Sequence, residues 1–452
     1  MAQTSNFSQI RFIGYAIPTT PANLISLDAG AVAGTYLGNL DIHEDIVARV
    51  AVMKNAVEIA AKALPTNEDP SSVLNVFLAP EFFFHGLQGP YVYGSNYPDP
   101  VGEILRQLEA AFPASEYSNW TFVFGTAMTS QVANFHRVCA EPMIIERNAH
   151  VRRLAVDWKA AQESFGPRKS YLQDLLNFAI ADGHASPVVE VRDRALVVSN
   201  VPLDTFQAGI NGNNMTTEKY FVSNEDFILY EALGQPNVVT EQMVAYQWID
   251  LSDGDLKQAP YDPYAIFRQT YGADNVPRSL DLGVEICLDH YDGRLRKNID
   301  HEPFPLPTDR LHVQLVPSCG MQIQLPSVAA GANGFVFNCD GEYSIDNTTG
   351  AQQGTLSGVE CIYVSYVDSA NSDYGAHTQL ARVQTPAVGG NPSESQSKNA
   401  TFLSLRPALV QVLPVPVVDD LSHYFAGGPG EIHSYGPFDL YPNEDEAVEK
   451  GS

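Results

Sequence analysis

The run VLNVFLA (residues 73–79) does most to limit what this chain can become. It is short, mostly apolar and β-branched or aromatic, which suits a strand buried on both faces. Its neighbours carry a different period. IHEDIVARVAVMKNAVEIAAKAL (42–64) places apolar residues at helical spacing, and DPVGEILRQLEAAF (99–112) opens on an Asp-Pro start signal. Further strands are expected at SQIRFIGYAI (8–17), NWTFVFGTA (119–127), LDLGVEIC (280–287), RLHVQLVP (310–317), GFVFNCDG (334–341) and ECIYVSYV (360–367). Strands alternating with amphipathic helices predict a layered α/β fold.

Two stretches break the rhythm. In residues 131–215, EPMIIERNAHVRRLAV reads as a hairpin, YLQDLLNFAI as a short helix, RALVVSNV as a strand and QAGINGNNMT as a Gly/Asn loop. Residues 231–280 are rich in Pro, Asp and Tyr. After about 385 the chain loosens into TPAVGGNPSESQSKN and a Gly/Pro/acidic tail with interleaved aromatics, a composition suited to a disordered tail or to a second surface. No internal repeat is visible.

Charge narrows the partners. The net charge of −27 argues against nucleic acid, which demands clustered Lys and Arg, and against anionic membranes. No run approaches the 18 or so apolar residues of a transmembrane helix, and the first residues lack a secretory pattern. Five widely spaced cysteines without a CxxC pair make a poor disulfide framework and a poor zinc site. The 11 histidines show no HExxH or paired spacing. The expectation is a reduced, cytoplasmic chain with no metal.

Three places carry chemistry. Glu81 follows the buried-type strand and Pro80 and precedes Phe82-Phe83-Phe84. Strand C-termini are where open α/β sheets build ligand crevices, and apolar surroundings raise a carboxyl toward the range of a general base. Cys287 ends LGVEIC and is followed at once by Asp289, His290, Tyr291 and Asp292. A thiol on a sharp strand end can face a cleft beside backbone N–H groups able to hold an oxyanion. Lys219 lies between a Gly/Asn loop and an aromatic stretch, with Glu225 six positions on. Each has an ordinary alternative: a solvated strand-end Glu, a buried structural Cys, a surface Lys. A Cys–His pair is a further alternative, but neither Cys287–His290 nor Glu81–His85 has a local protease signature.

Taken in order, Glu, Lys and Cys on strand ends resemble the nitrilase (carbon–nitrogen hydrolase) superfamily. Gly283, Ile286, Cys287, Leu288, Asp289 and Arg296 fill its nucleophile pattern, Pro80-Glu81-Phe82 its base motif, Phe124-Gly125-Thr126 its following strand and LVPSC (315–319) the strand after the nucleophile. The separations from Glu81 to Lys219 (138 residues) and on to Cys287 (68) exceed the family's usual spacing, so insertions fall near 131–215 and 231–280. Tyr291-Asp292-Gly293 replaces the family's Phe-Pro-Glu. Lys159 and Lys169 are alternatives for the lysine, with Lys219 preferred for the Phe221 and Glu225 that follow it.

The resemblance implies an α-β-β-α four-layer sandwich: one catalytic domain over 1–385 with large insertions, then a C-terminal extension over 386–452. It implies hydrolysis of a non-peptide amide C–N bond in a small-molecule substrate, through a thioester on Cys287. Glu81 would be the base, and Lys219 and the Leu288 N–H would hold the oxyanion. Glu225 would orient Lys219, with Phe82, Asp289 and His290 beside the substrate. No cofactor is needed. Leu288-Asp289, where true nitrilases carry Trp-Glu, favours an amidase or carbamoylase. Acyl transfer through the same thioester, and a catalytically silent binding module, are the alternatives. The family's habit of assembly makes a homo-oligomer the default, with 414–452 as a candidate contact.

Overall fold

A computed structural model describes residues 7–20, 37–39, 41–86, 89–94, 98–132, 188–204, 211–219, 239–242, 265–271, 278–298, 310–345, 348–367, 374–388, 399–418, 424–425 and 427–440. The expected hairpin and helix within 131–187, with Lys159, Lys169 and Glu225, lie outside these residues.

The described strands are β1 (Gln9–Ala16), β2 (Val73–Ala79), β3 (Tyr91–Gly94), β4 (Trp120–Val132), β5 (Val188–Asp204), β6 (Asn211–Glu218), β7 (Val239–Gln242), β8 (Ile266–Tyr271), β9 (Arg278–Val284), β10 (Leu311–Ser318), β11 (Ala330–Asp340), β12 (Thr348–Leu356), β13 (Val359–Val367), β14 (Tyr374–Thr385), β15 (Thr401–Leu403), β16 (Val410–Pro414) and β17 (Glu431–Asp439). The helices used below are α1 (Ile42–Lys62), α2 (Pro100–Ala111), α3 (Leu288–Asp292) and α4 (Arg294–Asn298). Strands β1, β2 and β4 run parallel, and so do β9, β10 and β11. The long β5 joins the two sets, pairing antiparallel with β4 along most of its length and with β8 at its end; β8 then pairs with β9. The result is one mixed sheet folded so that two halves face each other.

Period-2 alternation explains the layers. In β1 and β2, Ile10, Phe12, Leu74, Val76 and Leu78 point inward to meet Leu280, Leu282, Val284, Val313, Leu315, Phe335 and Phe337 from the other half. The intervening Ile13, Tyr15, Phe77 and Ala79 point outward into a second core beneath α1 and α2. Each helix is capped by the aspartate that precedes it: Asp41 accepts from the Glu44 N–H and Asp99 from the Val101 N–H.

The outer face of the second half differs from the expected sandwich. Among the described residues the long helices α1 and α2 cover only the first half. Against the second lie the five-residue α3 and α4, whose Leu295 packs on Ile266 and Leu311, and a core shared by β11, β13 and β14. Two other expectations are revised. Most of the expected Gly/Asn loop is strand β6, paired with β5. The tail contributes β17, which adds to β1 and buries Ile432, Tyr435 and Phe438. A register shift in this pairing, with Gly436 and Pro437 inside the strand, hides the period-2 pattern from a sequence reading. No described helix is long and apolar enough to cross a membrane.

Candidate active site

The parallel strands of both halves end on one edge, and the three candidate catalytic residues meet there. Glu81 lies just beyond β2, after Pro80. The turn that carries it is held from several sides. The Glu81 N–H donates to Ser318 O (3.3 Å), the Phe82 N–H to Thr126 Oγ1 (2.8 Å), and Arg49 Nη1 to Phe83 O (2.8 Å). Phe82 sits at φ 59°. Gly125 explains the Phe-Gly-Thr signal: its φ is +69°, and a Cβ there would collide with the Pro80 carbonyl oxygen. Of the Phe run, Phe83 and Phe84 pack into the helix-side core; only Phe82 turns toward the site, its ring centroid 5.5 Å from Lys219 Nζ.

Cys287 follows β9 and immediately precedes α3. It adopts φ 46° and ψ −108°, a conformation costly for a side chain with a Cβ. Four non-glycine residues among those described have positive φ, and two of them, Phe82 and Cys287, lie here. Such strain persists where the surroundings over-determine it. The Cys287 N–H donates to Pro317 O (3.0 Å), and its thiol lies 3.6 Å from Cys319 O. Burial pushes the thiol pKa well up, and the Glu81 carboxylate raises it further by charge and hydrogen bonding; Lys219 pulls the other way.

Lys219, the residue after β6, is wholly buried and donates from Nζ to Glu81 Oε1 at 2.8 Å. Its backbone N–H donates to Asp193 O (2.8 Å). Glu81 therefore stands between a buried cation and a buried thiol. Burying such a pair is expensive, so its geometry must be maintained by the surrounding shell.

That shell assigns the remaining candidates. Asp289 is buried, and its Oδ2 accepts from Arg294 Nη1 (3.1 Å), which also donates to Glu218 O (2.6 Å). Arg294 thus ties the nucleophile's helix to the residue before Lys219. His290 departs from its expected place beside substrate. Its Nε2 accepts from the Gln324 N–H (2.9 Å), which leaves Nδ1 to donate to Glu285 Oε2 (2.7 Å). Both nitrogens are spent behind Cys287. Leu288 opens α3, where the first backbone N–H groups of a helix have no partner within it.

Sequence reasoning missed Glu285, Arg294 and Asp340. Glu285 had a signal, a carboxylate inside an apolar strand end. Asp340 had none. Its Oδ2 accepts from Ser318 Oγ (2.9 Å), the Gly320 N–H (2.7 Å) and the Met321 N–H (2.8 Å), and its Oδ1 from the Glu342 N–H (2.9 Å). It fixes the 317–319 segment whose carbonyls touch both Glu81 and Cys287. Among the described residues, no group of three or more His, Cys, Asp or Glu is placed to hold a metal.

No family model and no curated protein matches this chain. Among solved structures, a crystal structure of N-terminal amidase aligns at 9% identity and TM-score 0.29, covering 71% of this chain and 49% of that one. The same enzyme with a Gln-Val peptide aligns at 8% identity and TM-score 0.29, again over 71% of this chain and 49% of that one. The chain spans about half the length of these structures. A similarity this low leaves fold and activity to be argued from the chain's own geometry.

Proposed function

We propose that the protein hydrolyses an amide-type, non-peptide C–N bond through a thioester on Cys287, on a sandwich of the nitrilase type. The observation that carries this reading is the buried Lys219–Glu81 pair at 2.8 Å, with the strained Cys287 turn beside the same carboxylate. A raised thiol pKa keeps the resting sulfur protonated, so activation falls to a base already in place. Glu81 takes the Sγ proton as sulfur bonds to the amide carbon, and the carbonyl π electrons move onto oxygen. Lys219 and the Leu288 N–H stabilise that oxyanion. The tetrahedral centre collapses, the C–N bond breaks and Glu81 returns the proton to the departing amine. Water, deprotonated by Glu81, then attacks the thioester; the C–S bond breaks and the thiol is restored.

The test is ammonia or amine release from a broad amide panel. Cys287→Ala and Glu81→Ala should each abolish release while circular dichroism stays native. Full turnover by Cys287→Ala would sink the mechanism. Lys219→Ala should match those losses; a loss confined to Lys159→Ala would transfer the lysine's role.

A further inference from the structure

One buried imidazole stands outside this machinery. Strands β13 and β14 pair antiparallel, but the register breaks: Val364 opposes Thr378 and Ser365 opposes Ala376, which leaves His377 as an extra residue. Such bulges re-aim side chains, often next to active sites. His377 is fully buried, with its ring 5.1 Å from Tyr366 and 6.4 Å from His433. Among the described residues, neither ring nitrogen has a hydrogen-bond partner. Its neighbour His433 is fully engaged, with Thr378 Oγ1 at 2.7 Å and Glu431 Oε2 at 3.2 Å. An unsatisfied buried polar group costs on the order of 1–3 kcal/mol, so the orphan needs a reason.

Its position supplies one. Thr378 pairs with Cys339, so His377 stands level with the end of β11, where Asp340 holds the segment that frames Cys287. His433 pairs with Gly14 of β1, so the ring facing it points into the layer between the two halves, the layer that also contains Cys287. Tyr366 stacks on the half-buried Tyr343 with centroids 3.9 Å apart, which gives this corner an aromatic wall.

We propose that His377 is a substrate-binding residue, pairing with an uncharged hydroxyl or carboxamide on the part of the amide substrate that lies along Tyr343 and Tyr366. The inference rests on the amidase reading above and adds a substrate class to it. Hydroxyls and carboxamides both donate and accept, so they suit either tautomer of a neutral imidazole. Burial holds the ring neutral, its pKa pushed down to about 3, so it offers no counter-charge to an anion. The carboxylates of Asp340 and Glu342, which act on Tyr366, disfavour an anion along this wall further. A neutral imidazole supplies no negative charge either, so the ring itself pairs with a cation no better than with an anion, while Asp340 and Glu431 are directed by their hydrogen bonds toward backbone N–H groups and toward His433.

The experiment compares wild type, His377→Phe and His377→Gln on two probe pairs: phenylacetamide with 4-hydroxyphenylacetamide, and hexanamide with 6-hydroxyhexanamide. The 4-carboxy and 4-aminomethyl derivatives of phenylacetamide complete the set. Wild type should prefer a hydroxylated member. His377→Phe should lower that preference, as a ratio of kcat/KM values, by tenfold or more, mainly through KM, and His377→Gln should recover part of it. Because His377→Phe removes an orphan polar group, it should melt no lower than wild type. An unchanged ratio, a lowered Tm, or a wild-type preference for the charged probes would overturn the assignment while leaving the Cys287 chemistry standing. Absence of wild-type turnover on every probe, or full turnover by Cys287→Ala, would overturn the amidase reading and this inference with it.

Discussion

The Glu81 turn and the Cys287 turn solve the same problem in different ways. Each ends a parallel strand, and each contains a non-glycine residue at positive φ: Phe82 at 59° and Cys287 at 46°. At the first turn the strained residue is the neighbour of the reacting group. It is held by side chains from elsewhere, Thr126 and Arg49. At the second turn the strained residue is the nucleophile itself, held by backbone carbonyls of the adjacent strand end, Pro317 and Cys319. A carboxylate tolerates indirect positioning because proton transfer has reach in several directions. A sulfur that must meet one carbonyl carbon along one line gains from a fixed backbone. The two turns converge on the 317–319 segment, and Asp340 holds that segment.

The contrast predicts separable failures. Arg49→Met strikes only the Glu81 turn. It leaves the buried Asp45 without its cation, now at 2.6 Å, with the Tyr91 hydroxyl and the Asn39 N–H still donating to it, and frees Phe83 O, so stability should fall by about 3–5 kcal/mol in urea titrations. Asp340→Ala strikes both turns through their shared bracket. It strands the Gly320, Met321 and Glu342 N–H groups, and we expect a loss on the order of 3 kcal/mol with turnover falling on every substrate.

Alkaline pH sharpens the comparison on the cysteine side. The folded pKa values of Cys287, Cys319 and Cys339 are raised well above 9.0. Below pH 9 both folded and unfolded thiols are protonated, and these groups leave stability intact. Above 9 the unfolded thiols ionise first, so stability should drop as pH rises, less steeply in Cys287→Ala than in wild type. The smallest effect is local: Cys287→Gly should be more stable than Cys287→Ala by about 1 kcal/mol in thermal melts, because only glycine is at ease at this φ.

Much of this was legible in the chain. The run 73–79 is β2 over those same residues, and the helices at 42–64 and 99–112 appear as Ile42–Lys62 and Pro100–Ala111. These elements carry strong periodicity, and periodicity is what burial imposes on sequence. Glu81 and Cys287 could be nominated because each follows a strand-like run, and Lys219 because a lysine between them, followed by Phe221 and Glu225, resembles the nitrilase order. What was not legible depends on pairing. β6 and β17 gain their strand character from β5 and β1, and Asp340 becomes a bracket only when β10 and β11 lie side by side. His290 shows the converse. Its closeness to Cys287 in sequence suggested a place beside substrate, but a five-residue helix turns its ring toward Glu285. The orphan at His377 arises from a register break between two strands and has no one-dimensional signature.

The central claim is that Cys287 carries the acyl group. Intact-protein mass spectrometry of acid-quenched mixtures with a hydrolysed amide tests it most directly. A thioester on Cys287 gives a mass increase equal to the acyl group less one hydrogen, mapped by peptide fragmentation to Cys287, and absent in Cys287→Ala, which should also release no amine. Steady amine release with no adduct in wild type, and the same release from Cys287→Ala, would contradict it.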